Sequence, residues 1–359
     1  ILAALYTSEF LHPRLRPRIK AVVEVMASLP SVVLGFVAAF VLAPFVEDVV
    51  PAVLLAFITV PFSFVLGAVL WQLLPRSLAL GLERWRLGFV TIGVPVGLLL
   101  AVVLAPVLES LYFGGDLKAW LDGRVGGAAG GWALVLLPLG VLVASLLANS
   151  FMSKRVRGLS EREAANLSLG RFVVTALLGV AIAWGVAGLL GWAGVDPRGG
   201  LLGTYVQRNA MVVGFAMGFA VIPIIYTLAE DALSSVPQHL RAASLGAGAT
   251  PWQTATRIIM PTAASGLFSA CMIGLGRAVG ETMIVLMAAG NTPIMEWNVF
   301  NGFRTLSANI AVELPEAVPN SAHYRSLFLA GLVLFGMTFV LNTMAELVRR
   351  HFRKRMQAL

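Results

Sequence analysis

The chain has 359 residues, of which 58% are hydrophobic and only 12% charged, with a mean hydropathy of +0.86. Soluble globular domains carry roughly 25% charged residues, so this composition excludes them and points to an all-α, polytopic membrane protein. A net charge of +8 would suit nucleic acid, but the basic residues cluster in short segments between apolar runs, the pattern of membrane topology rather than of a nucleic-acid face.

The chain opens on ILAALYTSEF, which reads as the last turns of a helix. It has no initiating methionine, and the expectation is that further sequence, including at least one span, precedes Ile1. Apolar runs then predict membrane spans near residues 31–46, 49–74, 88–107, 132–152, 172–193, 207–229, 263–290 and 326–347. Pro30 sits at a natural helix start for the first of them. Alternating these spans sorts the loops into two sets. One (11–30, 75–87, 153–171, 230–262 and the tail after 347) holds 19 Lys and Arg, and the other (110–131, 194–208, 291–325) holds 6. Arg277 is the remaining one of 26. The rich set is therefore predicted to be cytoplasmic, together with the tail RRHFRKR from Arg349 to Arg355. The poor set includes the glycine-rich stretch 112–131 and WAGVDPRGG, 192–200, whose Gly and Pro end a helix.

The stretch GLGRAVGET, residues 274–282, carries the chemistry. It places Arg277 and Glu281 inside an apolar run from Thr262 to Gly290, long enough to span. Charges in hydrocarbon are expensive and persist mostly where they face a bundle interior or an aqueous path. Their spacing of four puts both on one helix face, within each other's reach. They form either a structural ion pair or a polar station on the route of an anion. Gly276 and Gly280, each one position before a charged residue, form a small-xxx-small pair that admits a neighbouring helix. Cys271 lies in the same helix, and one cysteine offers neither a disulfide framework nor a metal site.

Residues 230–261, EDALSSVPQHLRAASLGAGATPWQTATRIIMP, are too polar to span. They predict two short helices, Glu230–Leu245 and Pro251–Ile259, divided by a glycine turn at Gly246–Gly248. On physical grounds this shape suits either a partner's groove or the lipid surface. The order Ala242-Ala243-Ser244, Gly248, Ile258-x-Met260-Pro261 resembles the EAA coupling loop of ABC importer permeases, which fits a cleft on a cytoplasmic ATPase. Ala242 stands where that motif has its glutamate, so the usual carboxylate contact is absent. GLGRAVGETM, which follows, resembles the phosphate-specific, Pst-type permeases, in which an arginine and a glutamate at these positions are associated with phosphate passage. IKAVVEVMASLPSVVLGF, residues 19–36, resembles the lead into an early core span of the same permeases. The C-type subunit is resembled more than the A-type, although EDALSSVP and GATPWQT look A-type.

The resemblance covers roughly residues 1–46 and 205–347. It implies a type I ABC importer permease core with about eight transmembrane helices, divided into the start of the core (1–46), inserted helices (47–204) and the rest of the core (205–359). Four inserted spans are an even number, which keeps the coupling loop cytoplasmic, and they are expected to pack peripherally. Arg277, Glu281 and Thr282 would lie on the substrate path, and Ala242, Ala243, Ser244, Gly248, Ile258 and Pro261 on the ATPase contact. The implied partners are a second, homologous permease subunit, a dimeric ATPase that binds ATP and Mg, and an external phosphate-binding protein, at a bacterial inner membrane.

The chain itself has no phosphate-cradling G-x-x-x-x-G-K-[ST] loop, and its four histidines, His12, His239, His323 and His351, lack metal-ligand spacing. A transport subunit without its own ATPase, cofactor or metal is therefore expected. The alternatives are an ion-coupled secondary anion transporter or channel, which needs no coupling loop, a permease for sulfate, molybdate or phosphonate, and a component that also reports phosphate status.

Overall fold

The computed structural model describes residues 1–75, 78, 81–82, 85–152 and 161–357. Among them the fold is all helical, with one isolated parallel bridge, Gly290 to Phe303. Two helices, α1 (Leu2–Glu9) and α2 (Arg16–Ala27), precede α3 (Ser31–Asp48), which starts at Pro30 as expected and widens into a π turn at Ala38–Leu42. Next come α4 (Val50–Gln72), α5 (Gly93–Tyr112), α6 (Ala128–Met152), α7 (Glu161–Trp192) and α8 (Ala210–Ser234). After α8 lie α9 (Gln238–Gly246), α10 (Pro251–Thr262), α11 (Ala264–Gly280), α12 (Met283–Ala288), α13 (Leu306–Glu313) and α14 (Ala322–Gln357). Seven helical stretches among the described residues are long and apolar enough to cross a bilayer, and the pair α10 and α11, bent by 70° at Ala263, makes an eighth candidate. Of the basic residues on which the expected orientation rests, Arg76, Arg84, Lys154, Arg155 and Arg157 lie outside the described residues, as do the side chains of Arg162, Arg349 and the tail from His351.

The chain divides into two compact units: Ile1–Ala43 with Arg208–Met295 and Gly302–Leu359, and Pro44–Gln207 with Glu296–Asn301. In the second unit helices meet through glycine, because hydrocarbon offers no hydrophobic force to drive them together and close backbone approach must do so. A Cβ at Gly97 of α5 would lie 2.6 Å from Val60 Cα of α4, and one at Gly140 of α6 would lie 2.5 Å from the Gly179 carbonyl of α7. The Thr59 hydroxyl donates across the first of these seams to the Gly97 carbonyl, 2.7 Å away. The loops of this unit fold around the fully buried Trp120, whose Nε1 donates to the Gly127 carbonyl at 2.9 Å. Arg198 lies over its ring at 5.2 Å. Hydrogen bonding from Arg198 holds the Asp196 carboxyl below its ordinary pKa.

In the first unit, α1, α8, α10 and α11 share a core. Leu5, Ala229, Leu233, Ile259 and Leu267 pack together there, and α11 approaches α8 so closely that a Cβ at Gly274 would lie 2.4 Å from Ile225. On α2, which buries no residue, Lys20 reaches Glu230 at 3.3 Å and Asp231 at 3.2 Å on α8. Hydrogen bonds to Asp231 and then Glu230 raise the pKa of Lys20.

Candidate functional site

The apolar run 263–290 predicted as one span is broken. Helix α11 ends at Gly280, Glu281 is extended (φ −66°, ψ 126°), and α12 begins at Met283. Hydropathy is continuous through this point, so the break comes from hydrogen bonding. A Glu281 carboxylate oxygen accepts from the Ile284 amide at 3.4 Å, capping α12. Its carbonyl accepts from the Ser307 hydroxyl of α13 at 3.0 Å, and Thr282 Oγ1 donates to the Gly280 carbonyl at 3.3 Å. Glycine, a poor helix former, stands just before the break.

The break corrects the expectation that Arg277 and Glu281 share one helix face and reach each other. Glu281 has left the helix, and among the described residues no ion pair joins it to Arg277. Arg277 stands exposed in the last turn of α11, where a cation is favoured by the helix dipole, and it has no side-chain partner among the described residues. From Ala264 it is thirteen residues along the helix, about 20 Å at 1.5 Å per residue. Among the described residues nothing occupies its planar fork of donors, the geometry that pairs with carboxylate or phosphate oxygens.

The glycines also resolve differently. A Cβ at Gly276 would meet only the Asn342 side chain at 3.6 Å, and one at Gly280 would meet nothing within 4 Å. Close approach within the chain is made by Gly266 and Gly274 on the face toward α8. The sequence showed four glycines on α11 but not which of them faces a neighbour.

The loop 230–261 forms the glycine turn as expected, with different helix limits. Helix α8 runs on to Ser234, and α9 starts only after Pro237, whose ring displaces Val236 from helical geometry. Gly248 has φ +85° with open space around it, the left-handed conformation that glycine adopts without penalty. Ala242 and Ala243 are exposed, and the Ser244 and Thr254 hydroxyls lie 2.9 Å apart. Thr250 and Gln253 form a capping box at the start of α10. That helix continues through a π turn at Ala255–Ile259, with Ile258 half-buried and Pro261 exposed. Leu245 is 48% exposed and Trp252 58%, so the loop offers an apolar surface. Two residues without a local sequence signal also belong here. Arg241 of α9 pairs with Glu9 of α1 at 3.0 Å, a contact between positions 232 apart in the chain.

The family pattern for the binding-protein-dependent transport system inner membrane component matches residues 85–358. The phosphate transport system permease protein PstC of Mesorhizobium japonicum is 34% identical over 163 residues, 45% of this chain and 47% of the relative. PstC 1 of Mycobacterium tuberculosis is 34% identical over 147 residues (40% and 44%), and the probable ABC transporter permease protein YqgH of Bacillus subtilis is 34% identical over 120 (33% and 39%). The matched chain spans about half the length of these curated relatives or less. No solved structure matches. A multi-pass bundle, a helix broken beside an unpaired arginine and a family match over three quarters of the residues converge: the chain belongs to the family of binding-protein-dependent transport system inner membrane components.

Proposed function

We propose that the chain is a permease subunit of an ABC importer that moves inorganic phosphate into the cytoplasm. The observation that carries the reading is Arg277, an exposed guanidinium at a helix break in an apolar run, with no carboxylate partner among the described residues. Phosphate carries one to two negative charges, and a planar fork of donors binds its oxygens in pairs. The absence of a Glu281 contact leaves Arg277 available, while the break lets Glu281 repel an anion that lingers. Binding is then strong enough for entry and weak enough for exit. The relatives named phosphate transport permeases support this substrate.

The exposed loop α9–α10, with Ala242, Ala243, Leu245 and Trp252 at its surface, supports docking on a separate ATPase. That subunit would bind ATP and Mg; this chain would hold no cofactor and perform no hydrolysis. The complex would include a second, homologous permease and an external phosphate-binding protein. The loop and tail would be cytoplasmic at an inner membrane. A secondary transporter would have no use for such a loop, which disfavours that reading.

Uptake of labelled phosphate by proteoliposomes holding the whole complex tests the substrate. Uptake should require ATP on the loop side and withstand an excess of sulfate, molybdate or phosphonate. Competition by one of these at equal concentration would reassign the substrate, and uptake driven by an ion gradient without ATP would overturn the class.

A further inference from the structure

The loop helix α9 buries no residue. Its apolar anchor is Leu240, half-buried against the core cluster, and polar contacts supplement it. Arg241 makes most of them. Its Nη2 donates to Glu9 Oε1 at 3.0 Å and to the Leu233 carbonyl at 2.8 Å, its Nε donates to Glu9 Oε2 at 3.3 Å, and its Nη1 donates to the Val236 carbonyl. Both side chains are only 13% exposed. One planar group thus joins α9 to the end of α8 and, through both carboxylate oxygens, to α1. Buried bidentate pairs are strong because the geometry is fixed and solvent is excluded.

Both helices reached by Arg241 belong to the core that holds α11. Leu5 of α1 and Leu233 of α8 lie in one buried cluster with Ile259, Leu267 and Ala270, and α11 carries Arg277 at its far end. The second link from α9, Ser244 to Thr254, leads to α10, which also enters that cluster through Ala255 and Ile259. Ala242 supplies no carboxylate of its own. We propose that the Arg241–Glu9 pair is a positioning latch through which displacement of the coupling helix moves α1 and α8, and with them α11 and Arg277. The proposal rests on reading α9 as the ATPase-docking helix.

The test uses the whole reconstituted complex and measures phosphate moved per ATP hydrolysed, together with the ATPase retained on purification. Glu9→Gln and Arg241→Gln should keep the ATPase bound and hydrolysing, yet move about tenfold less phosphate per ATP, the scale expected for losing a charged group's hydrogen bonds. Arg241→Lys keeps the charge beside Glu9 but cannot reach both carbonyls, and should fall between. It also serves if the glutamine variants do not accumulate. A wild-type ratio in Arg241→Lys and in whichever glutamine variants assemble would overturn the latch, because a purely structural pair lowers yield without changing the ratio. Gly248→Val separates this from the docking reading. If Gly248→Val uncouples while Glu9→Gln does not, only the latch is wrong; if Gly248→Val also binds its ATPase and transports normally, the docking helix itself is misassigned.

Discussion

The two compact units solve different problems in the same apolar solvent. The second is built from long helices that meet glycine to backbone, as at Gly97 on Val60 and Gly140 on Gly179, and the apolar stretches of α4 and α6 hold no charged residue. The first contains the irregularities: π turns in α3 and α10, a 70° bend at Ala263, a break at Glu281 and an unpaired arginine beside it. Broken helices at membrane depth are tolerated where side chains take up the freed backbone groups, as Glu281 and Ser307 do here. Regular packing specifies a scaffold, and the irregular backbone concentrates in the unit that holds the proposed anion site.

Substitutions break this comparison at different places. The largest effect on accumulation is expected at a seam of the second unit. Gly97→Leu forces a side chain into the Val60 backbone, and overpacking of this kind costs about 1–3 kcal/mol or more. The variant's level in the membrane should fall severalfold, while Gly185→Leu, on a face with nothing within 4 Å, leaves it unchanged. Equal levels for the two would mean that the seams do not hold the unit together. In the first unit Gly248→Val should cost about 1–2 kcal/mol of local backbone strain, leave membrane level intact and lower ATP-driven uptake sharply. Glu281→Ala removes the acceptor that caps α12, at about 1 kcal/mol, whereas Glu281→Gln keeps an acceptor and removes the charge. If the charge serves phosphate release, Glu281→Gln slows turnover at saturating phosphate without lowering the amount of assembled complex. Orientation is a separate check. Cysteines placed at Gln238 and Gln357 should both resist an impermeant thiol reagent in intact cells, and labelling of one alone would break the topology.

Much of this was legible in the sequence because it depends on local chemistry. Continuous apolar runs located the spans, Pro30 marked the start of α3, and a glycine in a polar loop marked the left-handed turn at Gly248. The break at Glu281 was hidden because its cause, a carboxylate turning back to the Ile284 amide, leaves hydropathy untouched. The glycines of α11 could be found but not aimed, since Gly274 faces Ile225 and Gly280 faces open space only once neighbouring helices are placed. Arg241 and Glu9 gave no signal, because sequence reading has no means of pairing charges 232 positions apart.

The central claim is that Arg277 binds the passing anion and is not a structural ion pair. The most direct measurement is phosphate uptake by the assembled complex carrying Arg277→Ala, with Arg277→Lys beside it and the yield of complex measured for both. Because Arg277 has no partner among the described residues to orphan, Arg277→Ala should assemble at the wild-type level and abolish uptake, while Arg277→Lys, which keeps the charge but loses the planar fork, retains a fraction. Wild-type uptake by the assembled Arg277→Ala complex would contradict the account.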